Sequence, residues 1–240
     1  MLISPNAFLF GCALCCVLVV GCANGGGGAV AAGADVGVST RSVDSAKASY
    51  EALEGRRTVV EALGAMGAFD QAELRVTNAS RSAMTKEELA VFEAWYKPRL
   101  QQHSEERRAR LSSIVDQYGW PKISEFGQPA ATAAFLIVQH TENDSAFQEK
   151  MLRLMEPLIA SEDVSGEYYA LLFDRVAVNT NRPQRYASQL NECRNGKFIV
   201  PTLLEDPANV DKRRATVGLG SLKDYMRAMD RYSSLCKQKP

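Results

Sequence analysis

Residues 130–140 read Ala-Ala-Thr-Ala-Ala-Phe-Leu-Ile-Val-Gln-His, and this stretch decides the fold. Nine residues from Ala130 to Val138 contain one polar side chain, so the segment has almost no solvent face. Its flanks are polar and helical in pattern, which marks it as the central buried helix of a helical domain. Upstream, Thr85 with Glu88 three residues on forms a capping box, and Leu89, Phe92 and Tyr96 follow at helical spacing. Pro98 is expected to kink or break that helix. Between Asp44 and Phe69, the residues Tyr50, Leu53, Val60, Leu63 and Met66 define a further helix. Glu105 to Arg110 reads as a solvated charged face, with His103 an exposed neighbour, and Trp95 and Trp120 as packing anchors.

Downstream, Asn143 is placed to cap a helix carrying Phe147, Met151, Leu154, Met155 and Leu158. Ser165 opens another with Tyr169, Leu172, Phe173 and Val176. Asn195-Gly196 between Gln184–Leu190 and Phe198–Leu203 is a hairpin signal. Asp206-Pro207 begins a helix that Gly218 ends, and Ser221 begins the last, with Leu222, Tyr225, Met229, Tyr232 and Leu235. The expected fold is mainly α: a compact multi-helix domain with one small β-hairpin near 184–203.

The chain has 240 residues, 46% of them hydrophobic, with 28 basic and 28 acidic side chains. That balance fits a globular protein and lacks the basic surplus of a nucleic-acid binder. Ala7 to Gly21 is an apolar run too short for a ~30 Å hydrocarbon core, so it reads as a signal-peptide segment. Its end, Val19-Val20-Gly21-Cys22, resembles the lipobox of bacterial lipoproteins, although no Lys or Arg precedes the run. The resemblance implies that Cys22 is lipidated and that the membrane is a partner through that anchor. Ala23 after it resembles lipoproteins sent to the outer membrane, facing the periplasm. The expected divisions are 1–21 signal, 22–43 lipidated cysteine and Gly/Ala-rich tether, 44–118 N-terminal helices, and 119–240 a helical domain with the hairpin. With the signal removed and Cys22 lipidated, Cys193 and Cys236 remain, either as a disulfide or as two thiols. With His103 and His140 the only histidines, a multi-histidine metal site is excluded, and no cofactor motif is present.

Polar groups interrupt the apolar patterns at Gln139-His140, Asp174-Arg175, Gln184, Tyr186, Gln189 and Arg213-Arg214. Burying such groups is costly unless they pair. Gly119-Trp120-Pro121, Gln139-His140 with Asp144 and Gln148, and Tyr169-Ala170 with Leu172, Asp174 and Arg175 resemble the bacterial domain-of-unknown-function family 6624. So do Gln184 to Gln189 and then Asp211, Arg213, Arg214, Gly218, Leu219 and Tyr225, over about residues 112–227. The family's Tyr-Gly-Thr-Gln stands here as Tyr186-Ala187-Ser188-Gln189, and alanine argues against a positive φ at 187. The resemblance identifies a fold unit and implies no activity.

Three readings of the polar cluster stand open. One is a hydrolase with His140 as general base, oriented by Asp174 or Asp144, with water as nucleophile and Arg175 or Arg214 on an anionic substrate. Another is a site binding a small anionic ligand or an envelope partner through Arg175, Gln184, Tyr186, Gln189 and Arg214. The third is a structural network, or an interaction protein acting through its N-terminal helices. A metal held by His140, Asp144 and Asp174 is a minor variant, as these ligand types specify no metal.

Overall fold

The computed structural model describes residues 40–141 and 144–238. The signal segment, Cys22, nearly all of the tether and Asn143 lie outside the described residues. Among the described residues the protein has eight α-helices and one two-stranded sheet: α1 (Thr40–Ala83), α2 (Lys86–Tyr118), α3 (Ile123–Phe126), α4 (Gln128–His140), α5 (Ser145–Met155), α6 (Gly166–Asn179), β1 (Cys193–Arg194), β2 (Lys197–Phe198), α7 (Val210–Thr216) and α8 (Leu222–Met229). Short 3₁₀ segments at Glu156–Leu158, Pro207–Asn209 and Asp230–Gln238 complete the chain. The fold is mainly α with one small hairpin. None of the described helices is long and apolar enough to cross a membrane.

The chain divides into two units, residues 1–58 and 59–240. In the first, the hydroxyls of Ser49 and Thr58 donate to carbonyls one turn back, and Tyr50 and Leu53 are exposed. The second unit holds the core. Its centre is α4, eight of whose thirteen residues are buried, from Ala130 to Gln139. Helix α4 packs against α2, α3, α5 and α6, as its lack of a polar face requires. Phe135 stacks on Tyr168 of α6 at 4.2 Å, with the rings 2° from parallel. Helix α1 reaches α4 through Gly67, where an added Cβ would come within 2.7 Å of the Ala133 side chain. Only a glycine allows that approach.

Thr85 and Glu88 form the expected capping box at the start of α2. The helix then runs through Pro98 without a break. Proline removes one hydrogen bond, and Pro98 stands on an exposed face, where the freed carbonyl is open to solvent. Helix α1 extends past Phe69 to Ala83, because no proline interrupts residues 70–83. Asp144, rather than Asn143, is the N-cap of α5 and accepts from the Phe147 N–H at 2.9 Å. Asp206 does not cap a helix with its side chain. Its backbone is left-handed (φ 36°), its carboxylate accepts from the Asn209 amide at 2.7 Å, and α7 begins only at Val210. Trp120 is buried, whereas Trp95 is 57% exposed with Arg99 stacked over it.

The hairpin is shorter than the sequence pattern suggests. Cys193 pairs with Phe198 and Arg194 with Lys197, around Asn195 (φ 51°) and Gly196 (φ 72°). Two successive positive φ values are what a primed hairpin turn needs. Residues 184–190 form an irregular loop instead of a strand. Only Gln184 pairs, through a parallel bridge to Leu204. A disulfide joins Cys193 to Cys236, with 5.7 Å between the Cα atoms, and ties the C-terminal segment to β1.

Candidate functional site

His140 ends α4, and its Nδ1 lies 2.6 Å from Oδ2 of Asp70 on α1. The other oxygen of Asp70 is 3.4 Å from Arg107 on α2. Arg107 also reaches Glu73 at 3.1 Å, and Glu73 in turn lies 2.7 Å from Nδ1 of His103. One chain of side chains, His140–Asp70–Arg107–Glu73–His103, therefore links α4, α1 and α2. Both histidines of the protein sit at its ends. Asp70 is 2% exposed and Arg107 is 7% exposed, so the centre of the chain is dry. The solvated face expected for residues 105–110 holds for Glu105 and Glu106 but not for Arg107. His103 is half-buried against Phe69 rather than free on the surface. Pairing answers the desolvation cost that an isolated buried charge would carry.

The carboxylate beside His140 is thus neither Asp174 nor Asp144. Asp144 is engaged by the Phe147 N–H and by Arg108 at 3.1 Å. Asp174 is fully buried in α6 and accepts backbone N–H bonds from Arg185 (2.7 Å), Tyr186 (3.2 Å) and Ser188 (2.8 Å). Burial holds its carboxyl above the usual aspartate range, opposed by those three donors. A carboxylate was needed here because the loop presents three N–H groups to one point.

The loop's glutamines tie it to itself and to α6. Gln184 donates to the Gln189 carbonyl at 2.9 Å and accepts from the Gln189 N–H at 3.0 Å. Gln189 donates to the Leu171 carbonyl at 3.3 Å. Arg214 donates to the carbonyls of Gly220 (2.6 Å) and Tyr186 (2.7 Å), and Tyr225 donates its hydroxyl to Ser188 at 2.8 Å. Burial lowers the Arg214 guanidinium from its ordinary value and raises the Tyr186 phenol. Ala187 packs against Val210 and Leu222 with a φ of 52°. Position 187 therefore adopts a positive φ although it is an alanine.

Arg175 differs from all of these. It is 7% exposed, and its Nε and Nη2 are buried without a hydrogen-bond partner. Two helical turns separate it from Tyr168, so it lies on the face of α6 that meets α4. Gln148, on α5, donates to the Val138 and Thr141 carbonyls at the end of α4 (3.1 and 3.2 Å), and its own carbonyl oxygen is left buried without a partner.

Of the residues expected in one cluster, Asp174, Gln184, Tyr186, Gln189 and Arg214 come together around the 184–189 loop. His140 belongs to the ion chain, and Arg175 stands apart from both. No group of three or more His, Cys, Asp or Glu side chains suited to a metal ion occurs among the described residues. Asp70 and Glu73 are not marked by the apolar pattern, and Arg107 stands in the charge run that reads as a solvated face. A signal was present: Leu63, Gly67 and Asp70 share one face at i, i+4 and i+7, which places a carboxylate on the buried stripe.

Among the described residues, these features define a small helical domain with a buried charged chain, a side-chain-knotted loop and an arginine, Arg175, with two buried nitrogens lacking partners. The chain belongs to a family of unknown function, DUF6624, whose profile matches residues 65–237. That span takes in the ion chain of α1 and α2 together with the knotted loop. Among curated proteins and among solved structures there is no match.

Proposed function

We propose that the protein is a lipid-anchored envelope protein whose helical domain binds a small anionic ligand, with Arg175 as the residue that grips it. Arg175 carries this reading. Two guanidinium nitrogens buried without partners are costly, and a domain only about 5–15 kcal/mol stable rarely keeps such a group for folding alone. A carboxylate or phosphate supplies two acceptors in the geometry of the guanidinium fork. Gln184, Gln189 and Arg214 donate to backbone carbonyls of Gln189, Leu171, Gly220 and Tyr186, whereas Nε and Nη2 of Arg175 are buried without such partners.

The anchor rests on Val19-Val20-Gly21-Cys22 and the apolar run before it. Lipidation at Cys22 would hold the domain at the outer membrane, facing the periplasm, where a ligand or another envelope protein would be met. Cys22→Ser should move the protein from the detergent phase to the aqueous phase on partitioning.

Calorimetric titration with inorganic phosphate and with acetate tests the binding. The expected result is saturable binding of at least one, lost in Arg175→Gln. Failure of both anions to bind contradicts the reading.

A second reading has its own observation, the 2.6 Å contact between His140 and Asp70. Such a pair orients the imidazole, as a general base that activates water in a hydrolase would require. A turnover that is lost in His140→Gln would favour it over binding alone.

A further inference from the structure

A cleft of about 490 Å³ opens on the side of α6 away from Arg175. Its floor is apolar, formed by Leu152 of α5 and by Tyr169, Val176 and Ala177 of α6. Phe173 forms one wall, with the Arg185 guanidinium stacked 4.2 Å from its ring centre. Charges surround the opening, but they cancel. Arg182 pairs with Glu149 at 2.5 Å, and Arg185 pairs with Glu205 at 3.2 Å. Arg153 and Glu156 add one more of each sign. Burial and the neighbouring charge of Glu156 keep the Tyr169 phenol protonated well above its ordinary range.

We infer that this cleft binds an uncharged peptide segment that inserts an apolar or aromatic side chain between Phe173 and the α5 wall. The volume suits one large side chain with its flanking amides. The neutral sum of the rim favours neither an anion nor a cation. The paired guanidinium and carboxylate groups nevertheless keep spare donors and acceptors, since an arginine has five N–H groups and a carboxylate about four lone-pair sites. Peptide amides have the matching complement: one donor and one acceptor per residue without charge. The site is separate from the one proposed at Arg175 and does not depend on it.

The test uses three probes of the same shape: N-acetyl-phenylalanine amide (neutral), N-acetyl-phenylalanine (anionic) and phenylalanine amide (cationic). Binding is followed by heteronuclear NMR on the whole protein. The neutral probe should saturate with a Kd on the order of 1 mM, as its size allows, and each charged probe should bind at least threefold more weakly. Phe173→Ala should weaken the neutral probe at least tenfold. Glu205→Gln, which frees the Arg185 charge at an exposed position, should strengthen the anionic probe at least threefold and leave the neutral one unchanged. Arg175→Gln should affect none of the three, which separates this site from the anion site. No saturation by 20-fold above that Kd, equal binding of all three probes, or an unchanged neutral Kd in Phe173→Ala would each overturn the inference.

Discussion

Asp70 and His140 are seventy residues apart in sequence and 2.6 Å apart in space, and their contact fastens α1 to the end of the central helix. The contact exists because Gly67, one turn before Asp70, lets the two helices approach at Ala133. Backbone packing and a buried hydrogen-bonded pair therefore support each other.

His140→Ala should cost about 2–4 kcal/mol in denaturant unfolding, because it leaves Asp70 with only the 3.4 Å contact to Arg107 and the Gln71 amide. Asp70→Asn should cost a similar amount, and the double variant should cost clearly less than the sum. Additive losses would mean that the two side chains do not act as a pair.

Asp174→Asn should destabilise by about 2–3 kcal/mol, since the amide turns a donor toward one of three backbone N–H groups. At Ala187, relief of a positive φ worth about 1–2 kcal/mol is offset by a lost buried methyl and greater chain entropy. Ala187→Gly should accordingly change stability by less than about 1 kcal/mol, whereas Ala187→Val should lose more than about 2. Equal losses for the two would contradict the strain at that position.

How far the sequence discloses this arrangement depends on the range of the interaction. Caps at Thr85, Ser165 and Ser221 and the Asn195-Gly196 turn are local, and each stands where its residues put it. The central place of α4 is legible because nine nearly apolar residues admit no surface position. Partnerships between distant elements are not legible. Asp174 looks like a partner for His140 on residue type alone, yet the direction of its side chain on α6 delivers it to the 185–188 backbone. Asp70 carries the right chemistry in a segment where attention falls on the apolar spacing. Pro98 reads as a breaker because propensity ignores that its face is exposed.

Acid should loosen the junction before α3. The Asp163 carboxylate accepts from the Ser124 backbone N–H at 3.0 Å, and the Ser124 hydroxyl, followed by that N–H, holds its pKa below the ordinary value of 3.8. A depressed carboxyl contributes stability above its unfolded pKa and loses it as pH falls through the folded one. Asp163→Asn should therefore lose that contribution at pH 7 and flatten the acid limb, so that the variant and the native protein converge below about pH 4. An unchanged acid limb would mean that this carboxyl is not part of the transition.

The Cys193–Cys236 disulfide closes a separation of 43 residues. Reduction, or Cys193→Ser with Cys236→Ser, should cost about 2–4 kcal/mol on chain-entropy grounds. The 230–238 segment should lose amide protection before the helices do. Uniform loss of protection across α4 and α6 at the same rate would contradict a local clamp.

The most direct measurement is the thermal stability of Arg175→Met, with and without inorganic phosphate. Methionine keeps an unbranched apolar stem and removes the unpaired charge. The protein alone should melt higher, by the equivalent of about 1–3 kcal/mol, and the stabilisation that phosphate gives the native protein should vanish. A variant that melts lower while keeping the full phosphate effect would show that Arg175 serves the fold and that the anion binds elsewhere.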